Sequence, residues 1–89
     1  MREIRKWHAP FSGTKLLVSK DAKVRLFGAQ NGSLHVWIET EPGALDEEIE
    51  ERTYIVVGTG HQIPPGFDHV GSTQDPPFVW HLYERRDPL

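Results

Sequence analysis

The 89-residue sequence predicts an all-β domain, a small antiparallel β-sandwich or open barrel of six or seven strands with little or no helix. Three observations predict it. β-Branched and aromatic residues gather in short runs between Gly, Pro, Asn and Asp punctuation. Two of those runs are joined by Asn31-Gly32, which tolerates the positive φ angles of a two-residue type I′ hairpin turn. Two runs, Ser33–Thr40 and Phe78–Arg85, alternate with the period of a strand.

The elements follow in chain order. Glu3–His8 is a strand ended by Ala9-Pro10, and Thr14–Val18 is a second, followed by the turn-like Ser19-Lys20-Asp21. Val24–Gln30 and Ser33–Thr40 form the hairpin. In its second arm Leu34, Val36 and Ile38 point one way and His35, Trp37 and Glu39 the other, so one face meets the core. Glu41-Pro42-Gly43 breaks that strand. Ala44–Glu51 is acidic and, at this length, marginal for a helix, so it reads as a mobile connection with one turn at most. Arg52–Val57 carries the continuous apolar stretch Tyr54-Ile55-Val56-Val57, which suits a central strand covered on both faces. Gly58–Pro77 is rich in Gly and Pro and holds a short strand at Asp68–Thr73. Phe78–Arg85 is the last strand, with Arg86–Leu89 as a frayed tail. The expected core is Leu26, Leu34, Val36, Ile38, Ile55, Val57, Phe78, Trp80 and Leu82.

Size and composition narrow the classes. The length makes one domain over residues 1–89, with a thin stability margin that oligomerisation would relieve, and a homo-oligomer is expected. The absence of cysteine excludes disulfides and thiolate metal sites and fits a reducing cytoplasm. Ten Lys and Arg against thirteen Asp and Glu give a net charge of −3, which argues against nucleic acid as partner. No apolar run approaches the roughly 18–20 residues of a membrane span, and the N-terminus does not read as a signal peptide. The expected place of action is cytoplasmic. Basic residues crowd residues 1–25 and acidic ones residues 39–51, which reads as two solvated faces or as complementary surfaces of neighbouring subunits.

Candidate functional residues lie in two places. Gly58-Thr59-Gly60-His61 follows the buried-looking strand, and its glycines would let backbone N–H groups approach an anion, or else shape a turn. The segment is neither a Walker loop nor a dinucleotide fingerprint. Trp37 shares its face with His35 and Glu39, so it is the tryptophan best placed for a contact surface, whereas Trp80 shares a face with Phe78 and Leu82 and reads as core. The expected ligand-binding set is Gly58, Thr59, Gly60, His61, Trp37 and Arg86, with the last two as an aromatic–basic pair. Five scattered histidines match no zinc spacing, so no metal and no cofactor is expected. Ser72 or Ser12 could be paired with a His and an Asp, but nothing resembles a nucleophile elbow, and the domain is expected not to be an enzyme.

Three segments carry a resemblance: Ile4-Arg5-Lys6-Trp7, Val56-Val57-Gly58-Thr59-Gly60-His61-Gln62-Ile63-Pro64, and Val70–Glu84 with its Phe78-Val79-Trp80-His81-Leu82-Tyr83-Glu84 ending. They resemble a family of small proteins encoded mainly by bacteriophages and prophages. Ser72-Thr73 stands where that family more often has a single Thr after the Gly. The resemblance carries no activity, but it implies a setting: a non-catalytic binding protein in the host cytoplasm. Its sharpest form is a counter-defence sponge that sequesters a cyclic-nucleotide or cyclic ADP-ribose-like signal. The alternatives are an inhibitor of a host defence protein that docks through the Trp37 face, and an accessory phage protein without a ligand.

Overall fold

The computed structural model describes residues 1–88. Seven strands form two antiparallel sheets packed as a sandwich. They are β1 (Glu3–His8), β2 (Thr14–Ser19), β3 (Lys23–Gln30), β4 (Ser33–Thr40), β5 (Ile49–Gly58), β6 (Asp68–Asp75) and β7 (Phe78–Pro88). One sheet has the order β1-β4-β3, the other β2-β5-β7-β6. Among the described residues, the helical content is a single 3₁₀ turn at Asp46–Glu48. The acidic stretch after Pro42 is thus a short turn leading straight into β5. No helix here is long and apolar enough to cross a membrane.

The Asn31-Gly32 hairpin closes as its sequence requires. Asn31 has φ +53° and Gly32 φ +80°, the pair of left-handed conformations of a type I′ turn. β4 then lies at the centre of its sheet, and Leu34, Val36, Ile38 and Thr40 all turn into the core. β5 is central in the other sheet, as its apolar run predicts.

Two expected core residues are exposed. Leu26 is 56% exposed because β3 carries a bulge: Val24 faces Ile38 and Leu26 faces Trp37, so Arg25 is an extra residue. The extra residue shifts the strand's phase by one, and Phe27 takes the core position opposite Val36. Phe78 is 55% exposed because it opens β7 beside the tight Pro76-Pro77 turn, where it stacks on Trp80 at the end of the sheet. Ile55 and Trp80 are half-buried, while Leu34, Val36, Ile38, Val57 and Leu82 are buried as expected. Arg86 and Asp87 extend β7 rather than fraying; Leu89 lies outside the described residues.

The inward side chains of the β5–β7 ladder change character along its length. Arg52 faces Arg86, Tyr54 faces Glu84, Val56 faces Leu82, and Gly58 faces Trp80. At the charged end Arg52 is 1% exposed. Its guanidinium donates to Glu50 Oε1 at 3.0 Å and to the carbonyls of Ala22 at 2.8 Å and Lys20 at 3.0 Å. Tyr54 donates to Glu84 Oε2 at 2.7 Å, and burial together with that carboxylate raises its phenol above the ordinary range. This buried charge is tolerated because its donors find acceptors.

The basic N-terminal segment finds its acidic partners within the same chain. Arg2 pairs with Asp21 at 2.6 Å and Glu39 at 2.7 Å, and the Met1 amino group pairs with Glu41 at 2.8 Å.

Candidate binding site at the Gly58–His61 loop

The Gly58–His61 segment is a tight turn. The His61 N–H donates to the Gly58 carbonyl at 3.1 Å, and Gly60 has φ +90°, which a side chain rarely adopts. Gly60 therefore serves conformation. Gly58 serves close approach: a Cβ there would lie 3.1 Å from Cε1 and Nδ1 of His61 and 3.2 Å from Cζ3 of Trp80. Both rings rest against this one backbone position.

Trp80 anchors an aromatic cap at this end of the sandwich. Phe78 stacks on it at 5.3 Å between centroids and 27° between planes, and Phe11, from the β1–β2 connection, meets it at 4.9 Å. Phe11 is 65% exposed. A groove of about 480 Å³ runs between the Gly58–His61 turn and the Pro77–Trp80 segment.

After the turn the chain folds back over the outer face of β5 and β7. There Phe67 lies under the guanidinium of Arg85, 5.0 Å from ring centroid to Cζ. A second, smaller depression of about 190 Å³ opens on this face. The same Gly58–His61 turn borders it, together with His81 and Tyr83. Two of its lining residues, Thr59 and His81, belong to a hydrogen-bonded chain. Thr59 Oγ1 lies 3.1 Å from His81 Nε2, His81 Nδ1 lies 2.7 Å from Ser72 Oγ, and Ser72 Oγ lies 2.8 Å from His69 Nε2. A hydroxyl carries one proton, so Ser72 donates to at most one of the two imidazoles and at least one ring N–H donates to it. Ser72 is thus the serine that meets histidines. Among the described residues no carboxylate bonds either ring, so the Ser–His–Asp arrangement does not form. Among the described residues, three His, Asp or Glu side chains do not converge as a metal would need.

The expected site residues divide into three groups. Gly58, Thr59, Gly60 and His61 stay together between the two depressions. Trp37 belongs to the other sheet, half-buried on its outer face between Lys6 and Leu26, with His35 at 6.0 Å. Arg86 lies six positions along β7 from Trp80, roughly 20 Å at about 3.3 Å per residue. It donates to Glu50 Oε1 at 2.7 Å and to the Lys20 carbonyl. Trp37 and Arg86 therefore form no aromatic–basic pair, and neither reaches the loop. The aromatic neighbours of the loop are Trp80 and Phe78 instead. The alternation of β7 marks Trp80 and His81 as opposite faces of one strand, but only the β5–β7 register reveals that Gly58 stands opposite Trp80.

No curated protein and no solved structure matches the chain. A family does match: residues 1–88, all that the structure describes, align with the domain of unknown function DUF7352, and the chain belongs to that family.

Proposed function

We propose that this domain is a non-catalytic binding protein that holds a small ligand bearing a flat ring at the Gly58–His61 turn. One observation carries the reading. The turn separates an aromatic groove from a depression walled by imidazole and hydroxyl groups. A single ligand can lay its ring on Phe78 and Trp80 while its polar groups reach His61, Thr59 and His81. Stacking of a base on an aromatic contributes roughly 1–3 kcal/mol. The ligand class that combines a flat ring with several acceptors is a nucleotide-derived signal. The phage-family resemblance supplies the setting, a protein of the host cytoplasm that sequesters such a signal, and a homo-oligomer would enclose it further. Trp37 and Arg86 are not part of the site so defined.

The test is thermal melting against a panel of cyclic nucleotides and ADP-ribose isomers. A ligand at 100 times its dissociation constant adds about 2.7 kcal/mol, a shift of several degrees for a domain of this size. Phe78→Ala and His61→Ala change exposed side chains and are expected to abolish the shift while leaving the ligand-free melting temperature in place. A panel without any shift, or variants that shift like the wild type, would sink the reading.

A second reading has its own observation. On the outer face of β1-β4-β3, Leu26 stands opposite Trp37 and Ile4 lies diagonal to it, opposite Glu39; the two are 56% and 58% exposed. That apolar stripe suits a protein partner. Loss of partner binding in Trp37→Ala, with the ligand panel silent, would favour it.

A further inference from the structure

At the other end of the β5–β7 ladder the two sheets part. β3 and β6 are the edge strands that pack on each other there, and both are bulged. Arg25 is the extra residue in β3, and Val70 is the extra residue in β6, between His69 opposite Tyr83 and Gly71 opposite Leu82. A bulge bends its strand and re-aims the side chain it adds. Here both extra residues line one cleft of about 350 Å³. Arg52 and Glu84 are also in its lining, with Lys23, Arg25 and Arg86 around them.

Four cationic side chains and one carboxylate line this cleft, in a chain whose net charge is −3. The carboxylates behind it are each shared between two arginines. Glu50 Oε1 accepts from both Arg52 and Arg86, and Glu39 accepts from both Arg2 and Arg25. Lys23 forms no ion pair among the described residues. Two of the cations are well presented to solvent, with Arg25 and Arg86 side chains 47% and 49% exposed. Arg52 is positioned at the floor by the Glu50 carboxylate and two backbone carbonyls, with Glu84 at 3.5 Å. Core packing alone accounts for Arg52 with Glu50 and Glu84. Beyond them, Lys23, Arg25 and Arg86 line the same opening, and the carboxylates that Arg25 and Arg86 meet are each shared with a second arginine.

We propose that this cleft is an anion site that takes a phosphate group carried by a small molecule. Guanidinium groups match phosphate oxygens in pairs, and a phosphate offers more acceptors and more charge than a carboxylate does. The cleft is a single depression on an acidic protein and not a basic stripe, so it fits one small anion rather than a nucleic-acid backbone. The inference stands independently of the Gly58–His61 site, which shares no lining residue with it.

Titration of the whole chain with inorganic pyrophosphate, followed by amide NMR and calorimetry at constant ionic strength, tests it. AMP and acetate serve as parallel arms. Pyrophosphate or AMP is expected to shift the amides of Lys23–Leu26, Val70 and Arg86, and the tighter of the two identifies whether the phosphate arrives free or on a nucleoside. Lys23→Gln and Arg25→Gln, both at exposed positions, are expected to weaken that binding at least tenfold and to retain the fold in their amide spectra. Lys15→Gln, at an exposed position of β2 outside the lining of the cleft and of the loop site, is expected to leave it unchanged. Wild-type affinity in both cleft variants, acetate binding as tightly as either phosphate compound, or the absence of any shift at those amides would overturn the proposal.

Discussion

The two ends of the β5–β7 ladder are built on the same pair of strands and differ in almost every respect. At one end the inward pairs are Arg52 with Arg86 and Tyr54 with Glu84; at the other they are Val56 with Leu82 and Gly58 with Trp80. The charged end is held together from within, beneath its cleft. Arg52 is almost fully buried and satisfied by a carboxylate and two carbonyls. The aromatic end is left open, with Phe11 and Phe78 more than half exposed around Trp80. A sandwich this small has too little interior to bury everything apolar. It completes one end with a polar network tied to the β2–β3 turn and lets the other present rings to solvent.

The sharpest way to break this comparison is at Arg52. Arg52→Met would leave Glu84 without its counter-charge and Glu50 with Arg86 alone. Removing one partner of a buried ionic cluster costs about 3–5 kcal/mol, whereas replacing the whole cluster by apolar residues need cost little. For a domain of this length that is a fall in melting temperature of more than about 10 °C, read by circular dichroism. A near-wild-type melt would show that the charged end contributes nothing to the fold.

The aromatic end should yield less. Gly58→Ala places a Cβ 3.1–3.2 Å from the rings of His61 and Trp80, and both must move. Overpacking of this kind costs about 1–3 kcal/mol. Because the rings are at the surface they have room to give, so the lower half of that range is expected. The displaced indole should change the near-ultraviolet dichroism and the ligand response at the loop, while pyrophosphate binding in the charged cleft persists. Wild-type spectra and stability together would mean that the rings do not rest on Gly58.

This contrast also explains how much was legible in the sequence. The strands were, because each needs only local alternation and a turn: Asn31-Gly32 fixed a hairpin, and the apolar run 54–57 marked a central strand. The phase of β3 was not. A single extra residue at Arg25 exchanges Leu26 for Phe27 in the core, and nothing in the local pattern announces it. Arg52 was missed for a similar reason. A charged residue beside an apolar run reads as exposed unless its partners are known, and those partners are backbone carbonyls at Lys20 and Ala22, some thirty residues away. Of the expected site, Gly58 through His61 are neighbours in the chain and lie at one turn. Trp37 and Arg86 were joined to it by residue type alone, and pairing across sheets is set by register.

The smallest expected effect belongs to neither end but to the exposed charge clamp at the N-terminus, which gives the scale for the other two. Hydrogen bonds from Arg2 and Arg25 hold the Glu39 carboxyl below its ordinary value of 4.5. Asp21 is lowered from 3.8 by Ser19 and by Arg2. A carboxyl whose folded value lies below its unfolded one stabilises the fold fully above the unfolded value, and that contribution is lost as the pH falls through the folded one. Between pH 7 and 5 these groups should leave the melting temperature flat. Below about 4.5 it should decline, and less steeply in 0.5 M salt, because exposed pairs are screened. Glu39→Gln removes one of the groups responsible, so its melting temperature should depend less on pH than the wild type's over the same acid range. Identical slopes for the two proteins would show that the clamp is a surface ornament and that the acid sensitivity of the domain arises elsewhere.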